Sequence, residues 1–330
     1  LWLEGHPDEG LKKDWEYYLD EAPQEPEVEE KLAEIRKEYA RLEPEDLKCI
    51  DPCMGSGHIL VYMFDVLKQI YMSVGYSERE AAKSILEHNL YGLDIDDRAY
   101  QLAYFSVMMK ARKHNRRILD SGIKPHVYVI AESNPVDKET VEYFCNGDQK
   151  LKTALDTILA EMRDAKEYGS ILNVTPQDWE AIHVRVSEIE ADTGSVFRRP
   201  ALEVLLPVLQ VAEALAQKYD VVVTNPPYMS SAGLNLTLQK YVKRNFPNSK
   251  SDLYAVFLEQ CPKMINRNGL CSMITQHTWM FLSRYEKMRM EFKNGFISML
   301  HLGARAFDEI SGEVVQTVAF VINKNQVKNY

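Results

Sequence analysis

One short segment constrains the fold of this chain more than any other. The apolar, β-branched run at residues 219–224 ends abruptly at Asn225-Pro226-Pro227-Tyr228. Proline lacks a backbone N–H and has a fixed φ, so two successive prolines stop a buried strand at a defined residue. In open α/β sheets, ligands bind at the carboxyl ends of the strands. The segment therefore predicts a ligand site in an α/β protein, and a plain strand-ending turn is the alternative.

The four residues after this strand suggest a specific chemistry. The side-chain amide of Asn225 and the carbonyl beside it can accept both hydrogens of an exocyclic amino group. The ring of Tyr228 can stack on a flat base. The combination favours methylation of a nucleobase amine.

The rest of the chain alternates between strand and helix patterns. Strands are predicted at 47–52, 90–95, 126–131, 219–224, 269–275, 297–302 and 314–323, and helices at 57–74, 78–88, 97–113, 252–266 and 283–294. Residues 135–218 interrupt the alternation with mostly helical patterns, which predicts an insertion that lies on one face as a lid or subdomain. We therefore expect a helical, acidic extension at 1–46, with a linker at 20–30 and a helix at 28–42. A single domain follows at 47–330.

The charge is unevenly distributed. Residues 1–46 carry 16 acidic and 6 basic side chains, whereas residues 226–330 carry 13 basic and 7 acidic ones. The basic segment is what a phosphate-facing surface requires, although an ordinary solvated surface has the same composition. Five scattered cysteines without a Cys-x-x-Cys pair argue against a structural metal and for a reducing, cytoplasmic compartment. No apolar run is long enough for a membrane span.

A second motif, Asp51-Pro52-Cys53-Met54-Gly55-Ser56-Gly57, follows the first predicted strand and opens a helix. A dinucleotide fingerprint needs a third small residue where Leu60 stands, and a phosphate loop needs a following Gly-Lys-Ser/Thr. The acidic residue ahead of the glycines suits the ammonium group of an amino acid, which S-adenosylmethionine carries. Asp94 ends the second strand, where a carboxylate holds ribose hydroxyls. Glu132 or Ser133 is the candidate for the adenine of the same ligand.

Together these motifs resemble those of the N6-adenine-specific DNA methyltransferases in which the cofactor motif precedes the catalytic motif. Residues 51–57 are similar to the cofactor motif, and Gly92-Leu93-Asp94-Ile95-Asp96 is similar to the ribose-binding motif. Residues 225–228 resemble the catalytic motif. Residues 278–285 are similar to a later segment whose aromatic residue packs against the flipped base. That role falls to Tyr285, with Trp279 or Phe281 as alternatives.

The resemblance implies a fold, a cofactor and a partner. The fold is a Rossmann-like methyltransferase sheet with a helical insertion, the cofactor is S-adenosyl-L-methionine without a metal, and the partner is double-stranded DNA. The implied catalytic residues are Asn225, Pro226, Pro227 and Tyr228, with Tyr228 and Tyr285 against the base. The implied cofactor residues are Asp51, Pro52, Cys53, Gly55, Gly57, Asp94, Ile95 and Glu132.

The insertion and residues 225–325 are similar to the PglX-type methyltransferases of BREX phage-defence systems, which implies other defence proteins as partners. Methyltransferase–endonuclease fusions of restriction systems share the same core. Three departures from the pattern matter. The motif that usually precedes the cofactor motif is not recognisable in 1–46, Glu132-Ser133 replaces an acidic–Phe pair, and no target-recognition domain follows Tyr330. With Leu1 as its first residue, we expect the chain to be a fragment.

Two other functions fit the same sequence. One is methylation of a different planar amine, such as that of an RNA base or a protein glutamine. The other is a catalytically silent methyltransferase fold that serves as a scaffold in a defence complex. The presence of both Asn225 and Tyr228 argues against the silent scaffold.

Overall fold

A computed structural model describes residues 1–303 and 316–323 of the chain. Its centre is a seven-stranded sheet, which confirms the predicted α/β fold. The strands are β1 (Cys49–Asp51), β2 (Leu90–Asp94), β3 (His126–Val129), β4 (Tyr219–Thr224), β5 (Ile265–Gln276), β6 (Phe296–Gly303) and β7 (Thr317–Asn323). Their spatial order is β3-β2-β1-β4-β5-β7-β6. Strands β1 to β5 pair in parallel, and β7 lies antiparallel between β5 and β6.

Helices connect the strands on both sides of the sheet. Before β1 are α1 (Trp2–Gly5), α2 (Glu9–Asp14) and α3 (Pro26–Tyr39); between β1 and β3 are α4 (His58–Ser73), α5 (Glu78–Ser84) and α6 (Asp97–His114). Between β3 and β4 are α7 (Lys138–Cys145), α8 (Gln149–Glu161), α9 (Ala165–Tyr168), α10 (Trp179–Ala191), α11 (Arg198–Pro200) and α12 (Leu206–Ala216). The last are α13 (Leu236–Asn245), α14 (Leu253–Met264) and α15 (Glu286–Phe292). Single π-helical turns extend α5 and join α11 to α12.

The predicted element order is confirmed, with differences at some boundaries. The linker predicted at 20–30 is wrong in its second half, because Pro26 occupies the first turn of α3 and Glu27 and Glu29 follow it there. Proline is pre-organised for that position, and acidic residues are favourable at a helix amino end. Helix α13 was not predicted, since its residues follow a loop rich in small polar residues. Val314 and Val315 of the predicted last strand lie outside the described residues.

The sheet is covered on both faces, as expected for parallel strands. Along β4, Val222 joins one buried cluster while Val221 and Val223 pack against the other. The first cluster includes buried apolar residues of α7 to α10, of α12 and of α14. The second includes α4, α6 and the amino-terminal residues Trp2 and Leu3. The segment between β3 and β4 thus lies on one face of the sheet, and the amino-terminal helices lie on the other.

The parallel register aligns the carboxyl ends of the strands that matter for the site. Asp51 lies opposite Gly92, and Asp94 lies opposite Val129. Thr224 ends β4, the strand on the other side of β1. The segments that follow these four strands therefore all lie at the carboxyl end of the sheet. They are residues 51–57, 94–97, 130–133 and 225–228.

Candidate active site

The turn after β1 depends on a close approach between two helices. Gly57 has φ of 85°, a left-handed conformation, and immediately precedes α4. A Cβ atom at this position would lie 2.9 Å from the Cα atom of Ala103 in α6. Only glycine meets both requirements at once, because other residues rarely adopt this φ and would clash with α6. The turn is therefore held against the helix that follows β2.

The carboxyl group of Asp51 is fully buried at the start of this turn. Its Oδ1 atom accepts hydrogen bonds from the backbone N–H of Cys53 (3.0 Å) and from the hydroxyl of Thr224 (2.7 Å). Its Oδ2 atom is buried and has no hydrogen-bond partner among the described residues. Burial raises the pKa of Asp51 to about 7, and the nearby charge of Asp94 acts in the same direction. A cationic ligand group beside Oδ2 would supply the missing partner.

The carboxylate of Asp94 holds the same turn from the end of β2. Its Oδ2 atom accepts from the N–H of Gly55 at 2.9 Å, and its Oδ1 atom accepts from the N–H of Asp96 at 2.9 Å. The next residue, Ile95, is 55% exposed. Asp94 and Ile95 thus stand beside the turn at 51–57, as the motif pattern predicts for a shared ligand.

The structure separates the two candidates that follow β3. Ser133 is buried, and its hydroxyl donates to the backbone carbonyl of Leu159 in α8 at 2.6 Å. Its backbone N–H donates to the carbonyl of Met162. Both groups of Ser133 are therefore committed to anchoring the insertion. The partly exposed Glu132 is the one of the pair with a side chain available to a ligand.

The tetrapeptide after β4, residues 225–228, is more exposed to solvent than the carboxyl group of Asp51. Asn225 is exposed, Pro226 is buried and Tyr228 is half-buried. The hydroxyl of Tyr228 donates to the Oδ1 atom of Asn225 at 3.1 Å and lies 3.4 Å from the carbonyl oxygen of Ile274 in β5. Burial raises the pKa of Tyr228 to about 12, so this hydroxyl stays protonated and acts as a donor at neutral pH.

Direct contact joins the two motifs. The Thr224 hydroxyl that donates to Asp51 belongs to the residue before Asn225. Because β1 and β4 are neighbours in the sheet, the turn at 51–57 and the tetrapeptide at 225–228, predicted as the cofactor motif and the catalytic tetrapeptide, lie side by side.

The prediction for Tyr285 does not fit this arrangement. Tyr285 has no exposed surface and packs near Tyr254, which in turn meets Tyr228 edge-to-face at a centroid distance of 6.0 Å. A ring buried in this stack has no free face for a base. Trp279 is also buried, and its Nε1–H donates to the hydroxyl of Thr275. Phe281 is 65% exposed and is the one of the three candidates with an open ring.

The insertion supplies a part of the site that sequence reasoning missed. Residues 166–172, here called the bridging segment, cross the edge of the sheet between the two motifs. The hydroxyl of Ser170 is buried and donates to the carbonyl of Pro52 in the cofactor motif at 2.6 Å. Gly169 packs closely on Ile95, since a Cβ atom at residue 169 would lie 3.0 Å from the Cγ2 atom of Ile95. Lys166 pairs with Asp97 at 3.6 Å.

The same segment also contacts the elements that follow the catalytic tetrapeptide. The rings of Tyr168 and Tyr241 in α13 lie 4.4 Å apart. Gln260 in α14 donates to the backbone carbonyl of Leu172 at 3.2 Å. The bridging segment thus connects both sides of the site. Gly169, which interrupts the helical pattern of the insertion, is a sequence signal from which this segment could have been recognised.

Several cavities lie away from the two motifs. One of about 420 Å³ is lined by Lys48, His126 and Glu213 near the amino ends of β1 and β3. Another, of about 770 Å³, lies between Trp15 and the α4 residue Met63 and is mostly apolar. Neither is lined by a residue of the two motifs. Over residues 1–303 and 316–323, no cluster of three or more metal-ligating side chains occurs, and no helix is both long and apolar enough to cross a membrane.

Comparison with known proteins gives matches along almost all of the chain. The model of the Eco57I restriction-modification methylase family matches residues 88–305, and the model of the N-6 DNA Methylase family matches residues 26–138. The chain is 41% identical to the adenine-specific methyltransferase BrxX of Escherichia coli O9:H4 (strain HS) over 98% of its length. It is also 41% identical to the adenine-specific methyltransferase PglX of Lacticaseibacillus casei (strain Zhang) over 96% of its length.

These relatives are much longer than the chain, which spans 29% of BrxX and 26% of PglX. Among solved structures, the chain is similar to the ATP-dependent Type ISP restriction-modification enzyme LlaBIII bound to DNA. The TM-score is 0.50 at 13% identity, and the match covers 95% of this chain and 19% of LlaBIII. At this identity the likeness concerns the fold alone.

Proposed function

The chain belongs to the Eco57I restriction-modification methylase family, and from this premise we propose that its site methylates the N6 amine of adenine in double-stranded DNA, with S-adenosyl-L-methionine as methyl donor. The names of BrxX and PglX, both adenine-specific methyltransferases, support this substrate. A place in a phage-defence or restriction–modification system is part of the same proposal, as are other defence proteins as partners.

The observation that carries the proposal is the contact between the two motifs. The hydroxyl of Thr224 reaches Asp51 across neighbouring strands at 2.7 Å, so a ligand in the turn at 51–57 would lie next to Asn225. Methyl transfer needs this proximity, since holding two reactants in line supplies much of the rate enhancement.

The residues around the cofactor motif fit an amino-acid nucleoside. The unpartnered Oδ2 atom of Asp51 suits an ammonium group, because an opposite charge relieves the cost of a buried carboxylate. Asp94 stands where a carboxylate accepts ribose hydroxyls, with Ile95 and Glu132 on the side of the adenine. When bound there, S-adenosyl-L-methionine supplies an electrophilic methyl group on a positively charged sulfur.

Asn225 and Pro226 act on the amine of the target base. The adenine amine is a weak nucleophile because its lone pair is delocalised into the ring. The Oδ1 atom of Asn225 and the backbone carbonyl of Pro226 accept its two hydrogens, which favours a pyramidal nitrogen whose lone pair points at the methyl group. Attack by this lone pair would form the new N–C bond, and the bound cofactor would supply the methyl group while its sulfur keeps the electrons of the S–C bond. The alkylated nitrogen is acidic and would release its proton to solvent water, so no base is required before attack.

The target amine lies inside the duplex, so the adenine must leave the base stack, which costs a few kcal/mol. Stacking on Tyr228 returns about 1–3 kcal/mol. Phe281 offers a second exposed ring on the segment after β5, and we assign to it the role first predicted for Tyr285.

The test is a panel of acceptors. Full-length protein is incubated with methyl-labelled S-adenosyl-L-methionine and, separately, with unmethylated duplex DNA, RNA of the same sequence and a glutamine-containing protein. We expect label in DNA alone, recovered as N6-methyladenine after digestion and mass spectrometry. Label in RNA or in protein, with none in DNA, would show that DNA is not the methyl acceptor. Cofactor binding without transfer to any acceptor would favour the silent scaffold.

A further inference from the structure

Helix α13 follows the catalytic tetrapeptide and carries an unusual concentration of positive charge. Residues 229–251 contain the four cations Lys240, Lys243, Arg244 and Lys250 and no aspartate or glutamate. All four side chains are exposed. The basic excess of residues 226–330 is therefore locally concentrated beside the site.

Three of these cations share one face of α13. Lys240, Lys243 and Arg244 are spaced i, i+3 and i+4, which places them side by side on a helix. Leu236, one turn before Lys240, is 75% exposed on the same face. Val242 is buried on the opposite face. The helix is thus anchored through its apolar side and presents its cations to solvent.

The three cations have no protein partner within residues 1–303 and 316–323. None makes an ion pair or a side-chain hydrogen bond there. Some exposed cations elsewhere in the chain pair with a carboxylate four residues further on, as Lys152 does with Asp156 and Arg199 with Glu203. On α13 the positions that could supply such carboxylates hold neutral residues, so the positive charge is uncompensated.

The loop that carries α13 is fastened directly beside Tyr228. The N–H of Leu253 donates to the carbonyl of Met229 at 2.9 Å, and the N–H of Ser231 donates to the carbonyl of Ser251 at 2.9 Å. The two ends of the segment 229–253 therefore meet next to the catalytic tetrapeptide. A ten-residue helix is about 15 Å long, so its cations lie within reach of a duplex whose base is at Asn225.

We propose that the face of α13 formed by Lys240, Lys243 and Arg244 binds phosphates of the DNA duplex that carries the target adenine. The inference rests on the proposed function, which makes DNA the partner. Cations that contact phosphates release condensed counterions, which strengthens binding without reading sequence. Such contacts fix the position and orientation of the duplex. Here they hold the target strand beside Asn225 while the adenine is out of the stack.

The test uses the salt dependence of DNA binding by the full-length protein. The dissociation constant for a duplex is measured from 50 to about 300 mM salt for the wild type and for the triple variant Lys240→Gln, Lys243→Gln, Arg244→Gln. Each phosphate contact contributes about 0.9 to the slope of log K against log salt. We expect the slope of the triple variant to be smaller in magnitude by about 2–3.

A matched control has the same loss of charge elsewhere. Arg116, Arg117 and Lys124 are exposed and precede β3, at the opposite edge of the sheet from the site. Their triple glutamine variant should keep the wild-type slope within about one unit. An unchanged slope in the α13 variant, or an equal loss in both variants, would overturn the inference. If instead the wild type transfers methyl groups to RNA or protein and binds no DNA, the proposed function itself has failed.

Discussion

The turns after β1 and β4 lie side by side but are held in opposite ways. In the first turn the N–H groups of Cys53, Met54, Gly55 and Gly57 all donate hydrogen bonds within the protein. The second turn begins with the exposed Asn225 and continues with two prolines that have no N–H to donate. Backbone hydrogen bonds therefore fix the turn after β1, whereas the turn after β4 is fixed by two prolines that cannot donate such bonds.

The turn after β1 is fixed by contacts within the protein, whereas the turn after β4 leaves polar and aromatic groups accessible to solvent. The cofactor turn is tied to β2 through Asp94, to β4 through Asp51 and to the insertion through Ser170. Its conformation is held by these contacts within the protein. The catalytic tetrapeptide leaves an amide oxygen and an aromatic ring near solvent, where a substrate can reach them. Substitutions in the two turns should therefore affect different steps.

The largest effect is expected for Asn225→Ala. Removing the acceptor that orients the amine should lower kcat at least about a hundredfold, by analogy with the loss of a single group that stabilises a transition state. Affinity for S-adenosyl-L-methionine should stay within about twofold, because Asn225 takes no part in the turn at 51–57. Methyl transfer and calorimetric titration of the cofactor measure the two quantities separately. If Asn225→Ala lost cofactor affinity as well as methyl transfer, the two turns would not serve separate steps.

A smaller effect is expected from pH, and it should be confined to the cofactor turn. The pKa of Asp51 is raised to about 7 in the free protein by burial, so below pH 7 the carboxyl group is mostly neutral. An ammonium group binds the ionised form, so cofactor affinity should fall as pH falls. Between pH 7 and 5.5 we expect a loss of roughly tenfold, since each unit below the pKa costs up to a factor of ten.

The control for this prediction is Asp51→Asn, which has the same shape and cannot ionise. It should bind the cofactor more weakly than the wild type at pH 7, with little change in affinity over the same pH range. An equal pH dependence in both proteins would mean that another group responds, and Asp51 would no longer be assigned to the ammonium group.

The smallest effect is expected for Ser170→Ala in the bridging segment. The substitution leaves the carbonyl of Pro52 without its buried donor, which costs about 1 kcal/mol. The turn should then relax in the free protein, and restoring its shape on binding should lower cofactor affinity by up to about fivefold. Ser170→Thr keeps the hydroxyl and should restore affinity. The kcat at saturating cofactor should be nearly unchanged. A variant that lowers kcat while cofactor affinity stays normal would show that the segment serves the catalytic turn instead.

Sequence reasoning recovered the features that local pattern determines. Strand β4 was placed at its observed residues because an apolar run ends at two prolines. The turn at 51–57 was recognised because its glycines follow a predicted strand and open a helix, and in the structure Gly57 adopts a left-handed conformation. Both signals lie within a few residues of the feature that they predict.

Sequence reasoning was least informative about side chains whose environment is set by distant parts of the chain. Tyr285 has a suitable ring, but packing near Tyr254 buries it, and no local pattern reports that contact. Ser170 contacts a residue 118 positions away in the sequence. The choice between Glu132 and Ser133 likewise depended on where α8 lies.

The hydrogen bond from Tyr228 to Asn225 joins the two side chains that the proposed function assigns to the target base. The hydroxyl of Tyr228 uses one lone pair of the Asn225 oxygen, and a carboxamide oxygen has a second lone pair that can accept from an amine. An aliphatic amine could use that second lone pair but would gain nothing from the ring, whereas a flat base could also stack on Tyr228. Under the proposed function, one hydrogen-bonded pair of side chains would therefore both orient the amine and select an aromatic base.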